Sequence, residues 1–135
     1  MQAGYSGTAL GKKLGVKTGQ LTWRFQMPAT VAEEIEGSGC VPILLQSPQS
    51  GIEMAHLFVF RRSELSEYLA RLRKLLAPHG TIWVSWPKKS SKVVTDLTED
   101  VVRNEALPLG LVDIKVCAVD DIWSGLKLMI RKSER

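Results

Sequence analysis

The amino-acid pattern predicts an α/β domain with a mostly parallel sheet, helices packed on it, and a closing antiparallel hairpin. Three observations predict it. Met54 to Phe60 is a near-continuous apolar run of strand length, as expected for a central strand covered on both faces. Leu65, Tyr68, Leu69, Leu72, Leu75 and Leu76 fall on one stripe at helical spacing, directly before a second strand-like run, Thr81 to Trp86. Val112, Ile114, Val116 and Ala118, then Leu126, Leu128 and Ile130, alternate on either side of Asp120-Asp121, as in a hairpin. Strands that alternate with helices favour a parallel sheet with helices packed on it.

The elements follow in order. Met1 to Tyr5 reads as a loose tail, residues 1–7 as its full extent, and Gly4-Tyr5-Ser6-Gly7-Thr8 as a lid over the sheet edge or a fraying end. Thr8 can cap a short helix through Leu14, which Gly15 stops. Leu21, Trp23, Phe25 and Met27 alternate with polar residues, the period of a strand with one buried face, and Pro28 ends it. Thr30 to Glu36 reads as a short acidic helix closed by Gly37. Val41 to Leu45 is a strand-length apolar run. Its Pro42 suggests an edge position, because proline cannot donate to the ladder. The polar link Gln46 to Gly51 is too short for a crossover helix. Ser63 is the expected cap of the striped helix. Glu64 at its start and Arg71, Arg73 and Lys74 at its end suit the helix dipole, and Pro78 and Gly80 are its expected stop. Asp96 and Glu99 form an Asp-x-x-Glu capping pattern before a helix that runs to about Leu107 and Pro108.

The 135 residues point to one domain. At this size the core needs no disulfide or metal staple. Cys40 and Cys117 sit in apolar runs without CxxC spacing and read as small buried hydrophobes of a reducing compartment. No run approaches the ~20 apolar residues of a membrane span. Met1 to Lys13 has no signal-peptide core, so a cytoplasmic protein is expected. The net charge of +4 permits an anionic partner without demanding one. The basic residues are spread along the chain, which argues against a nucleic-acid partner.

Lys88, Lys89 and Lys92 are the exception, a basic cluster free of interleaved acids. The segment Trp86-Pro87-Lys88-Lys89-Ser90-Ser91-Lys92 follows the carboxyl end of a central strand, the edge where open α/β sheets place ligands. Its ammonium and hydroxyl groups suit a phosphate or carboxylate, and Trp86 offers a stacking face. The competing reading is a solvated loop whose lysines offset Asp96, Glu99 and Asp100. Trp23 and Trp83 fit buried strand positions. Trp86 and Trp123 fall at element ends, where large aromatics line a pocket or a partner surface as well as a core. His56, inside the most apolar strand, reads as a core histidine bonded to the backbone, with a base or ligand role as the alternative. His79 reads as an exposed turn residue. There is no HExxH and no GxSxG, so metal and acyl-transfer chemistry have no support, and no cofactor is expected.

Leu75-Leu76-Ala77-Pro78-His79-Gly80-Thr81-Ile82-Trp83-Val84 is similar to the mid-sheet helix-turn-strand of S-adenosylmethionine-dependent methyltransferases, and Gly110 to Arg131 resembles their final hairpin. The chain thus resembles a shortened form of that Rossmann-like fold. A closer resemblance is to a family of small bacterial proteins known only as a domain of unknown function. It rests on Gly4-Tyr5-Ser6-Gly7-Thr8, on Trp83-Val84-Ser85-Trp86-Pro87-Lys88-Lys89, on Thr95 to Arg103, and on Trp123-Ser124-Gly125-Leu126-Lys127. It implies the same fold and a bacterial origin, and brings no activity. Two features that hold S-adenosylmethionine on the larger fold are missing: a glycine-rich turn after strand one, where Gln26-Met27-Pro28 stands, and an acid at the end of strand two. The leading expectation is therefore a non-catalytic module that binds a protein partner or itself, with the Pro42 edge as the associating surface. The alternatives are binding of a small anionic or nucleotide-like ligand at Trp86 to Lys92, and a methyltransferase with a degenerate cofactor motif.

Overall fold

A computed structural model describes residues 8–135. The readings of residues 1–7 as tail or lid lie outside the described residues. The elements are α1 (Leu10–Leu14), β1 (Leu21–Phe25), α2 (Ala29–Gly37), β2 (Ile43–Leu44), β3 (Ile52–Phe58), α3 (Arg62–Leu75), β4 (Leu76–Pro87), α4 (Glu99–Ala106), β5 (Leu111–Ala118) and β6 (Trp123–Ile130). They build a six-stranded sheet in the order β2-β1-β3-β4-β6-β5. The pairs β1–β2, β1–β3 and β3–β4 are parallel; β6 runs antiparallel to both β4 and β5. The α/β class, the parallel sheet and the closing hairpin are as predicted.

The alternation of side chains divides the core between the two faces of the sheet. On one face Trp23, Ala55, Leu57, Ile82 and Val84 pack against Leu65, Leu69 and Leu72 of α3 and Val102 and Ala106 of α4. On the other, Met54, Phe58 and Trp83 pack against Leu10 and Leu14 of α1 and Val31 and Ile35 of α2. Trp83 is fully buried, and its Nε1 donates to the Leu14 carbonyl at 2.7 Å. That bond satisfies both a buried donor and an orphan carbonyl at the end of α1. Helix α1 also meets the end of α2 closely: a Cβ on Gly11 would lie 2.8 Å from Ser38 Cβ.

Several local expectations are corrected. Thr8 does not cap α1, whose N-cap is Ala9 with no side-chain bond. Ser63 does not cap α3 either, because the helix starts one residue earlier, at Arg62. The Arg62 amide instead donates to Asp96 Oδ1 at 2.7 Å, across 34 residues of chain. Asp96 therefore serves α3, and α4 is capped by Thr98, whose hydroxyl accepts from the Val101 amide. Pro78 and Gly80 do not stop α3; it ends at Leu75, and both join the 12-residue strand β4. Strand β2 does lie at the sheet edge, but it holds only Ile43 and Leu44, paired with Leu21 and Thr22 at the start of β1. Because β2 rises so little, the short link after it can return to the start of β3. No helix among the described residues is long and apolar enough to cross a membrane.

Candidate functional site

The strand order changes direction between β1 and β3: from β1 the chain proceeds outward to β2, and from β3 it proceeds the other way to β4. The helix after β1 covers one face and the helix after β3 the other. This divergence opens a crevice at the carboxyl ends of the strands, where open α/β sheets bind ligands. Trp86 to Lys92 follow the carboxyl end of β4, one strand beyond this point.

A cavity of about 460 Å³ occupies the crevice, lined by Gln26, Phe60, Arg61, Ser63, Glu64, Glu67 and Tyr68. Gln26, in the turn after β1, has φ of 55°. That is the left-handed conformation for which glycine is the usual residue, and it costs a side-chain-bearing residue about 1–2 kcal/mol. The sequence lacks the glycine of a cofactor turn, yet the backbone takes a glycine's conformation there. Tyr68 packs against Phe25 in a tilted arrangement with ring centroids 4.3 Å apart, and Arg71 lies over its ring at 5.4 Å. Glu64, Glu67 and Arg61 have no hydrogen-bond or ion-pair partner among the described residues and leave two carboxylates and a guanidinium facing solvent and cavity. The loop above is zipped shut: Thr95 Oγ1 donates to the Phe60 carbonyl at 2.6 Å, next to the Asp96 cap. The sequence points to none of these lining residues as a site: Ser63, Glu64 and Tyr68 read as parts of a helix, and Gln26 as part of a turn without glycine. The alternation reads through Met27, whereas β1 ends at Phe25, so Gln26 falls in the turn and not in the strand.

A second cavity of about 520 Å³, one strand further on, is lined by Trp86, Lys88, Lys89, Lys92, Thr98 and Glu99 among others. It gathers only part of the predicted set. Trp86 belongs to the α3–α4 face of the sheet and Trp123 to the opposite face. The register explains this, since Trp123 pairs with Pro87 and Trp86 with Ser124, so the two indoles point to opposite sides. Trp123 packs edge-on against Phe58 at 5.0 Å and Phe60 at 5.2 Å. Lys88 Nζ donates to the Asp120 carbonyl at 2.6 Å and ties the loop to the β5–β6 turn. Ser91 Oγ donates to the Lys88 carbonyl and accepts from the Val93 amide, so it shapes the turn. Ser90, Lys89 and Lys92 are exposed. Glu99 is ion-paired with Arg103, which also holds Asp100 and Asp113. The Arg103 hydrogen bond keeps the Asp113 carboxyl below its ordinary range.

His56 is buried, but its partner is a side chain, not the backbone: Nε2 lies 2.8 Å from Ser85 Oγ, itself fully buried. The ring stacks on Phe58 at 4.4 Å. Burial, and then the charge of Arg24 beside it, lower the His56 pKa to about 3, so the ring is neutral at physiological pH. His79 is exposed as expected, but it belongs to strand β4 and not to a turn, because the chain passes from α3 straight into that strand. Cys117 is buried and its thiol pKa raised by burial, whereas Cys40 is only half-buried. Among the described residues no group of three His, Cys, Asp or Glu stands close enough to hold a metal ion.

No family model and no curated protein matches the chain. Solved structures do. A methyltransferase from Aquifex aeolicus described as S-adenosylmethionine-dependent superposes with a TM-score of 0.65 at 14% identity, covering 88% of this chain and 86% of that one. Magnesium protoporphyrin IX methyltransferase from Synechocystis PCC 6803, with bound S-adenosylmethionine, matches at 0.59 and 12% identity, over 91% of this chain and 76% of that one. LepI in complex with SAH and a substrate analogue matches at 0.56 and 11% identity over 90% of this chain. The chain spans 39% of that LepI chain and 46% of a second LepI structure. At such identities the likeness is one of fold: the domain has a shortened, methyltransferase-type Rossmann-like architecture.

Proposed function

We propose that the domain binds a nucleoside ligand of the S-adenosylmethionine type in the crevice between β1 and β3, and that it acts as a methyltransferase with a degenerate cofactor turn. The observation that carries this reading is Gln26: the left-handed turn sits beside a cavity at the point where the sheet diverges. The residues present fit the group in part. Strand β2 ends level with Thr22, far from the carboxyl edge, so it offers no acid to ribose hydroxyls. Glu64 and Glu67, one turn apart on α3, take that place and also complement a sulfonium charge. Arg61 suits the ligand's carboxylate, and Phe60 and Tyr68 offer faces to its base. When bound, such a ligand supplies an activated methyl group. The exposed Lys89 and Lys92 in the neighbouring cavity then suit an anionic acceptor.

Isothermal titration with S-adenosylmethionine tests it. Micromolar binding is expected, weakened at least tenfold in the double variant Glu64→Gln, Glu67→Gln. Absence of heat at millimolar ligand with folded protein would overturn the proposal.

A second reading, partner binding or self-association, draws on the β2 edge, where Val41, Ile43 and Leu44 are 68%, 50% and 56% exposed. Sedimentation that stays monomeric at high concentration would remove the self-association half of it.

A further inference from the structure

We propose that a third cleft, at the opposite edge of the sheet where the parallel strands begin, binds a phosphate-bearing small molecule. The cleft measures about 430 Å³ and lies between the α1–β1 connection and strands β4 and β6; Gly15, Lys17, Thr18, His79, Thr81 and Lys127 line it.

Charge is the first argument. Lys127 is half-buried on β6, on the sheet face that carries Trp83, its register partner in β4. Its partner in β5 is Lys115, another cation. Burial is the main cause that lowers the Lys127 pKa, and the charges of Lys115 and Lys17 lower it further. No carboxylate pairs with Lys127 among the described residues. Glu53 also lines the cleft and keeps its charge, but its Oε1 accepts from the Leu21 amide at 2.9 Å, and it forms no ion pair with Lys127. A half-buried ammonium between like charges is an unbalanced arrangement in the molecule alone, and a dianion balances it.

The second argument is independent of charge. Thr81 Oγ1 is the one buried side-chain nitrogen or oxygen among the described residues that lacks a partner. Buried hydroxyls are bonded as a rule, and an orphan one costs about 1–3 kcal/mol. Thr81 itself lines this cleft, and a rotation of its side chain that brings the hydroxyl to the cleft wall lets an oxyanion accept from it.

The third argument is space. Gly15 takes φ of 78°, and a Cβ there would sit 3.7 Å from Lys127 Nζ. The bare backbone keeps the ammonium uncovered from that side. The volume exceeds what an inorganic anion needs and leaves room for a small organic body.

The test is an amide NMR titration with inorganic phosphate against sodium chloride at matched ionic strength. Saturable shifts confined to Gly15 to Gln20, Thr81 and Lys127 are expected. Affinity should fall at least tenfold in Lys127→Met, which keeps the length of the side chain, and about threefold in Thr81→Val. Shifts equally large at Lys89 and Lys92, or an affinity unchanged in a folded Lys127→Met protein, would overturn the proposal. Lys17→Met, at an exposed position, gives the same decision if Lys127→Met does not fold. Because the cleft lies at the far edge from Gln26, a failure here leaves the crevice between β1 and β3 untouched.

Discussion

Mild acid should destabilise this domain through one residue, His56. Its imidazole has a pKa of about 3 in the folded protein, against 6.5 in an unconstrained chain. Between those values the unfolded chain binds a proton that the folded one refuses. Stability therefore falls as pH drops through 6.5 and keeps falling until about pH 3. Integrated from pH 7 to pH 5, the loss is about 2 kcal/mol, a sizeable part of the roughly 5–15 kcal/mol that holds a domain together. The control is His56→Gln, which retains an amide to bond Ser85 Oγ but does not titrate. Urea unfolding at both pH values should show the natural protein losing about 2 kcal/mol more than the variant over that interval. The other depressed group that bears on acid stability, Asp113, acts elsewhere: its contribution is present above its ordinary value of 3.8 and is lost only as pH falls below it. Equal pH dependence in the two proteins would refute the account of His56 as a neutral ring enclosed beside Arg24.

Two further predictions concern the packing. Asp96→Ala should cost about 1 kcal/mol and speed hydrogen exchange at the Arg62 amide, while Thr98→Ala should act at Val101 instead; the same probe on both variants separates the two caps. Trp83→Phe removes the bond to the Leu14 carbonyl and part of a fully buried ring, so a loss of about 2–4 kcal/mol is expected in thermal unfolding, with α1 the first element to loosen.

The fold was legible where the signal is local. The alternation around Trp23, the apolar run from Met54 and the leucine stripe of α3 each report a period that one element imposes on its own residues. What escaped depends on partners distant in the chain. Asp96 looked like part of its own helix's cap because three-residue spacing is a local cue, whereas its bond spans 34 residues. Trp86 and Trp123 looked like two walls of one pocket until the β4–β6 register set them on opposite faces. The crevice followed from strand order, which no window of sequence contains, and the φ of Gln26 is imposed by the turn it must complete. His56 was recognised as a core residue, but its partner Ser85 is set by the pairing of β3 with β4.

The Trp83 indole and the Leu14 carbonyl stand 69 residues apart in the chain. A ribosome adding about 5–20 residues per second needs roughly 3–14 s to cover that interval. During this time the first helix has been made but the strand that anchors it has not. Five residues long, α1 is too short to persist alone in water. The amino-terminal part of the chain therefore waits, and the apolar side chains of Leu10 and Leu14 stay available to other surfaces. They are withdrawn only when the middle of the sheet has been synthesised. The placing of α1 is completed by a tryptophan made much later.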